Sequence, residues 1–232
     1  MTIFKKIFGL DESEVQKNCI ICPINDFSLF IRKNDRISKG LLFSATNSEK
    51  ATVISSKNNF LLGDCVLYLK ETLCENIFLF GSCASTGALS VGDPVLAEKS
   101  FSFESFSDML KKKNNPELFF PDKELFDKFH SFTKDKSLFP ATLATVNSIC
   151  LETDYLDWSK NNNVKCFDME TSIIFSSAKY IGRKAIALLY VTDIIGKQSF
   201  HEPLDENDRA KLLSSRKLIS KLLVNFIENE LY

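Results

Sequence analysis

The chain has 232 residues, of which 44% are hydrophobic and 25% charged, and its formal net charge is −1. This is the length and composition of one globular domain with a sizeable core. The near-zero charge gives no electrostatic ground for binding nucleic acid or an anionic membrane. The longest apolar runs fall short of a bilayer, and the first ten residues lack the apolar core and cleavage site of a signal peptide. A cytoplasmic protein without membrane or nucleic-acid partners is expected.

Residues 1–17 predict a short amphipathic lead-in, with Phe4, Ile7 and Leu10 on one side. Asn18-Cys-Ile-Ile-Cys-Pro23 predicts a buried strand. Its Cys19-x-x-Cys22 has no second cysteine pair, and the chain holds two histidines, so no metal site is expected. The seven cysteines read as reduced core residues, Cys74, Cys83, Cys150 and Cys166 lying among apolar neighbours. A turn over 35–40, strands over 41–46 and 50–55, and a helix over 61–73 follow. Residues 75–80 predict a strand ending in the loop Gly81-Ser-Cys-Ala-Ser-Thr-Gly87, after which Val91-Gly-Asp-Pro-Val95 is extended again. Glycine and small hydroxyl residues after a strand suit an anion, through backbone N–H groups and a side-chain O–H.

The phenylalanines of residues 99–139 alternate with lysines and acids, a pattern that serves either a core or interface face or a platform for single-stranded nucleic acid. The neutral charge favours the first. A helix is expected over 123–132, a strand within 141–150, and a helix around Tyr155 and Trp158. Then comes Cys166-Phe-Asp-Met-Glu170, a helical pattern with Ile173, Ile174, Phe175 and Ala178 apolar, and Gly182 as its stop. Residues 184–192 form a nearly continuous apolar run, as in a strand covered on both faces, and Asp193 follows. Open α/β sheets bind ligands at the carboxyl ends of their strands. One helix–strand unit thus delivers two carboxylates, Glu170 and Asp193, to a candidate site. A loop over 194–203, holding His201, leads through Asp205-Glu-Asn-Asp-Arg209 to a long helix over 212–227 with an apolar stripe.

Asp168-Met169-Glu170, the helix closed by glycine, the apolar strand and Thr192-Asp193 resemble the nucleoside phosphorylase and nucleosidase family, most like its hexameric purine nucleoside phosphorylases. The spacing of 23 residues between Glu170 and Asp193 matches. So does the upstream block, Gly81-Ser82 followed by Val91-Gly-Asp-x-Val95. The resemblance implies an α/β fold, a single three-layer α/β/α domain over 1–232 with a central mixed, mostly parallel sheet. It implies cleavage of the N-glycosidic bond of a purine-type nucleoside, as in purine salvage, by a homo-oligomer (dimer, trimer or hexamer) that needs no cofactor. Asp193 is then the acid that protonates the departing base, with Arg209 organising it. Glu170 clasps the ribose diol, since a carboxylate accepts two hydroxyl hydrogens, and Met169 lies under the sugar as a soft apolar surface. Gly81 and Ser82 hold phosphate or water, and Lys39 matches an arginine that reaches the neighbouring subunit's phosphate site.

The chain also departs from that pattern. The loop 23–28 carries neither the glycine nor the arginine that hold phosphate in the family, and Leu79 stands where phosphorolytic members have a second arginine. A dianion without bidentate arginine partners binds weakly. Related nucleosidases lack those arginines and use water; Asp26 is then the acid available as its base. The Asp193–Arg209 ending favours phosphorolysis, to free base and ribose 1-phosphate, by a little over hydrolysis. A noncatalytic nucleoside-binding homologue with a decayed phosphate site is the third expectation.

Overall fold

The computed structural model describes residues 2–23, 27–31, 35–56, 61–136 and 138–231. Ten strands form one mixed sheet. At its centre β5 (Asn76–Ser85) and β10 (Lys184–Ile194) run parallel, paired from Lys184–Asn76 to Ile194–Ser85. From β5 an open wing continues through β1 (Asn18–Cys22), β4 (Thr52–Ser56), β3 (Phe43–Asn47) and β2 (Ser38–Lys39). On the other side β10 pairs with β6 (Pro94–Phe103) and β6 with β8 (Phe139–Val146). β8 then pairs with β9 (Cys166–Asp168), which returns antiparallel to β5. Five strands therefore close a ring, and the wing hangs from one of them. β7 (Glu117–Phe119) extends β6. The long ladders, β5–β10 and β6–β8, are parallel.

Strand alternation divides the core between two helical layers. Ala185, Ala187, Leu189 and Val191 of β10 join a cluster with α1 (Ile3–Phe8), α2 (Leu62–Tyr68) and α6 (Thr171–Tyr180). Ile186, Leu188 and Tyr190 point the other way, to α4 (Lys123–Phe132) and α7 (Glu206–Glu230). Burial on both faces explains why β10 is written as an unbroken apolar run. On the second face Phe226 of α7 meets Phe78, Phe129 and Phe132 edge-on. Two short elements, α3 (Phe106–Leu110) and α5 (Leu156–Asn161), complete the fold. Among the described residues no helix is long and apolar enough to cross a membrane.

Several local expectations are corrected. Gly81 and Ser82 lie inside β5, not in a loop after it, because β10 keeps pairing with β5 as far as Ser85. The turn beyond is closed by the chain itself: the Ser85 hydroxyl accepts the N–H groups of Gly87 and Leu89, both at 3.0 Å. Residues 99–103 continue β6, and α3 and β7 were not anticipated. α7 starts at Glu206, capped by Asp205, which accepts the Asp208 N–H at 2.7 Å. Of the seven free cysteines, Cys150 is exposed rather than buried, since it sits on a surface 3₁₀ turn, Ile149–Tyr155.

Gly92 brings α7 close to the sheet. Its φ is +85°, and a Cβ there would sit 2.7 Å from Lys211 Cβ and 2.9 Å from Lys211 C. Only glycine tolerates both the left-handed backbone and that approach.

Candidate active site

The site begins with the way α6 starts. Asp168, the last residue of β9, is 4% exposed, and its Oδ2 accepts the Thr171 N–H at 2.7 Å and the Glu170 N–H at 3.3 Å. The Thr171 hydroxyl donates to the same oxygen. The Thr145 hydroxyl donates to Oδ1 at 2.7 Å and also receives the Ser172 N–H at 2.8 Å. Its one proton is committed to Asp168, so Ser100, 3.0 Å away, is the donor in their contact. Burial pushes the Asp168 carboxyl up, and these donors oppose it. The first-turn N–H groups of α6 are thus satisfied by Asp168 and Thr145. Glu170, at the N-cap position, makes no capping bond with its side chain.

The second acid arrives on an irregularity. The pairing of β10 with β5 slips between Val191 and Asp193, which inserts Thr192 as an extra residue. Neighbours in a regular strand point to opposite faces; a bulge re-aims them. Thr192 and Asp193 consequently both line one cavity, and the Thr192 hydroxyl donates to Asp193 Oδ1 at 2.6 Å. Asp193 is 8% exposed. Desolvation raises its pKa, against smaller opposing effects of the Thr192 hydrogen bond and the charge of His201.

The cavity has a volume of about 400 Å³, within the usual range for small-molecule sites. One wall is Pro23, Ser82, Cys83 and Ala84. Met169 and Glu170 form its rim with Phe167 and Asp168, and Glu170 is only 5% exposed. The cavity's large apolar side chains are Ile149, Phe200, Leu204 and Leu212. Leu212 arrives with the stretch of α7 that Gly92 admits. The loop beyond β10 packs on the 3₁₀ turn, where a Cβ on Gly196 would lie 3.9 Å from Thr153 Cγ2.

The lining also holds an acid that the sequence does not mark. Glu152 lines the cavity, is 7% exposed, and has no hydrogen-bond or ion-pair partner among the described residues. Burial first, then the charges of Asp193 and Asp168, push its pKa up to about 8. Its segment, Ile149-Cys-Leu-Glu-Thr-Asp-Tyr155, carries three acceptable surface residues in a row, and no local signal separates the one that turns inward. Phe200, an aromatic ring of the lining, comes from the loop after β10.

The remaining expected residues lie elsewhere. Gly81 is buried in β5 and is not in the lining; a Cβ there would make only ordinary contacts at 3.8 Å. Arg209 is exposed on the first turn of α7, outside the cavity lining, and nothing pairs it with Asp193. Lys39 is exposed on β2, at the far edge of the open wing. His201 is exposed beside Phe200, its ring centroid 3.7 Å away. Asp26 lies outside the described residues. Among the described residues no cation lines the cavity, and no cluster of histidine, cysteine or acidic groups is arranged to hold a metal.

A family model described as the phosphorylase superfamily matches residues 64–228. No curated protein matches the chain significantly. Among solved structures, a uridine phosphorylase from Vibrio fischeri ES114 superposes with a TM-score of 0.76 at 14% identity, over 95% of this chain and 95% of that one. A Campylobacter jejuni 5'-methylthioadenosine/S-adenosylhomocysteine nucleosidase gives 0.71 at 13% identity, over 92% and 99%. A P. knowlesi homologue of the P. falciparum PNP gives 0.71 at 15%, over 94% and 92%. At such identities the likeness is one of fold.

Proposed function

The chain belongs to the phosphorylase superfamily, and from that premise we propose that its cavity cleaves the N-glycosidic bond of a nucleoside carrying a purine-type base. The observation that supports this most is that Glu170 and Asp193, from different elements, line one cavity of about 400 Å³ while both are almost fully buried. Cleavage of the C–N bond builds positive charge on the sugar and negative charge on the base. Glu170 accepts the hydrogens of the ribose diol and fixes the sugar over Met169. Asp193, whose pKa burial raises, is the acid that gives a proton to the departing base. The acidic lining stabilises the cationic sugar in a poorly hydrated space.

The lining also favours water as the acceptor. A phosphate dianion would enter beside the Glu170 carboxylate with no cation to meet it among the described residues, whereas neutral water meets no such repulsion. The Ser82 hydroxyl, which lines the cavity and has no protein partner among the described residues, is free to hold the attacking water. Phosphorolysis is the second reading, supported by the same serine, which matches a phosphate contact in the family. The superfamily needs no cofactor, and its phosphorylases use phosphate as co-substrate.

The test is base release from inosine and adenosine with and without phosphate. Release that ignores phosphate supports hydrolysis, and release stimulated by phosphate supports phosphorolysis with ribose 1-phosphate as product. No release under either condition rejects catalysis and leaves a nucleoside-binding homologue.

A further inference from the structure

The mechanism above uses Glu170, Asp193, Met169 and Ser82, and leaves Glu152 without a task. Its carboxyl has no hydrogen-bond partner among the described residues, yet its oxygens are not sealed off from solvent, so they open to the cavity and are satisfied by whatever occupies it. The cavity's apolar lining residues, Ile149, Phe200, Leu204 and Leu212, offer contact to a flat ring but no polar complement. A planar heterocycle held by such side chains needs a polar partner for its edge, and Glu152 lines the same cavity without one.

We propose, on the premise of nucleoside cleavage, that Glu152 reads the base: it selects a heterocycle whose edge carries an N–H or NH₂ donor beside a lone-pair acceptor. The placement of the other groups supports this end of the cavity as the base end. Asp193, the proton donor to the leaving base, is the group whose charge acts most strongly on Glu152, ahead of Asp168. The sugar-holding pair, Met169 and Glu170, belongs to the start of α6, while Glu152 belongs to the 3₁₀ turn on which the loop after β10 packs.

The pattern read follows from the protonation state. Burial keeps the proton on Glu152, and the charged groups that act on it, Asp193 and Asp168, are both acids and work in the same direction. A neutral carboxyl has one donor and one acceptor side by side. It therefore pairs through two hydrogen bonds with the lactam edge of a 6-oxopurine or with the amidine edge of a 6-aminopurine. The O–H also supports negative charge as it develops on the base, so the contact strengthens in the transition state. An apolar wall by itself discriminates weakly between bases of similar shape, whereas a site built to pair a polar edge rejects a ligand that lacks it.

The experiment compares wild type, Glu152→Gln and Glu152→Leu on inosine, adenosine and purine riboside, which has no exocyclic group, together with calorimetric binding of hypoxanthine, adenine and purine. Glutamine keeps the donor–acceptor pair, so E152Q retains kcat/KM within about fivefold on the preferred nucleoside. E152L loses about 10²-fold on that nucleoside, and its preference over purine riboside collapses. The preference is a ratio within one variant, so a loss of folded protein cancels from it. An E152L protein that keeps the wild-type preference overturns the inference and leaves the cleavage reading intact. A wild type that cleaves nothing but binds a free base in an Glu152-dependent way overturns cleavage and sustains base reading. A wild type that neither cleaves nor binds overturns both.

Discussion

Asp168 accepts the backbone N–H of Thr171 at 2.7 Å, and this relationship divides labour between two acids two residues apart. The cap of α6 is made by Asp168, so Glu170 carries its carboxyl on the cavity lining instead of on the helix end. Substituting the two therefore gives different signatures. D168A removes the cap and orphans the Thr145 hydroxyl, destabilising the fold by about 1–3 kcal/mol, read as a lower urea midpoint. D168N keeps an oxygen acceptor and recovers most of that stability. E170Q leaves the midpoint near wild type but lowers kcat/KM on a ribonucleoside by about 10²-fold, with a much smaller loss on its 2'-deoxy analogue. Equal losses on the two sugars would remove Glu170 from the diol.

The bulge at Thr192 sets up a test by pH. Desolvation raises the Asp193 pKa, and the hydrogen bond from Thr192, which favours the charged form, holds part of that rise back. T192V removes the donor, so the Asp193 pKa climbs further. An acid must carry its proton to give it away, and activity that falls with rising pH should then persist to higher pH in T192V. The kcat–pH profiles of the two proteins show the displacement of the alkaline limb; coincident limbs would assign the proton to another group. D193N, with no proton to give, loses about 10²–10⁴-fold in kcat.

Glu152 makes stability depend on pH in a definite direction. Its folded pKa is pushed up to about 8, against an ordinary value of 4.5. Between those values the folded protein holds a proton that the unfolded chain releases. The corresponding stability is fully present below the ordinary value and is lost as pH rises toward 8, by up to about 1.4 kcal/mol per pH unit. Asp168 and Asp193, also raised, act in the same direction. E152Q does not titrate, so urea unfolding from pH 5 to 8 should show it gaining on wild type steadily. A constant difference across that range would mean that Glu152 is ionised in the fold.

Arg209 stands exposed and outside the cavity lining. R209A should change kcat/KM by less than about threefold and stability by less than about 0.5 kcal/mol. A loss comparable to that of D193N would show that the residue enters the site when substrate binds.

Much of this protein is written locally. The unbroken apolar run of β10, the 3.6-residue spacing of α6 and α4, and the charged first turn of α7 each declare their element, because burial on two faces or one stripe dictates residue type position by position. For the same reason Glu170 and Asp193 stood out in the sequence, each at the end of a strongly patterned element. Other features depend on partners distant in the chain. Gly81 and Ser82 look like a loop until β10 arrives to extend the pairing, and the closing of five strands into a ring has no local mark. The resemblance pairs Arg209 with Asp193, and in the structure Arg209 is exposed on the first turn of α7. Glu152 is the sharpest case: its neighbours Thr153 and Asp154 are equally polar, and what holds its proton is burial first, then the charges of Asp193 and Asp168, one brought by β10 and the other by β9. Charge and burial at a site are sums over everything that folds around it, and only the tertiary structure performs that sum.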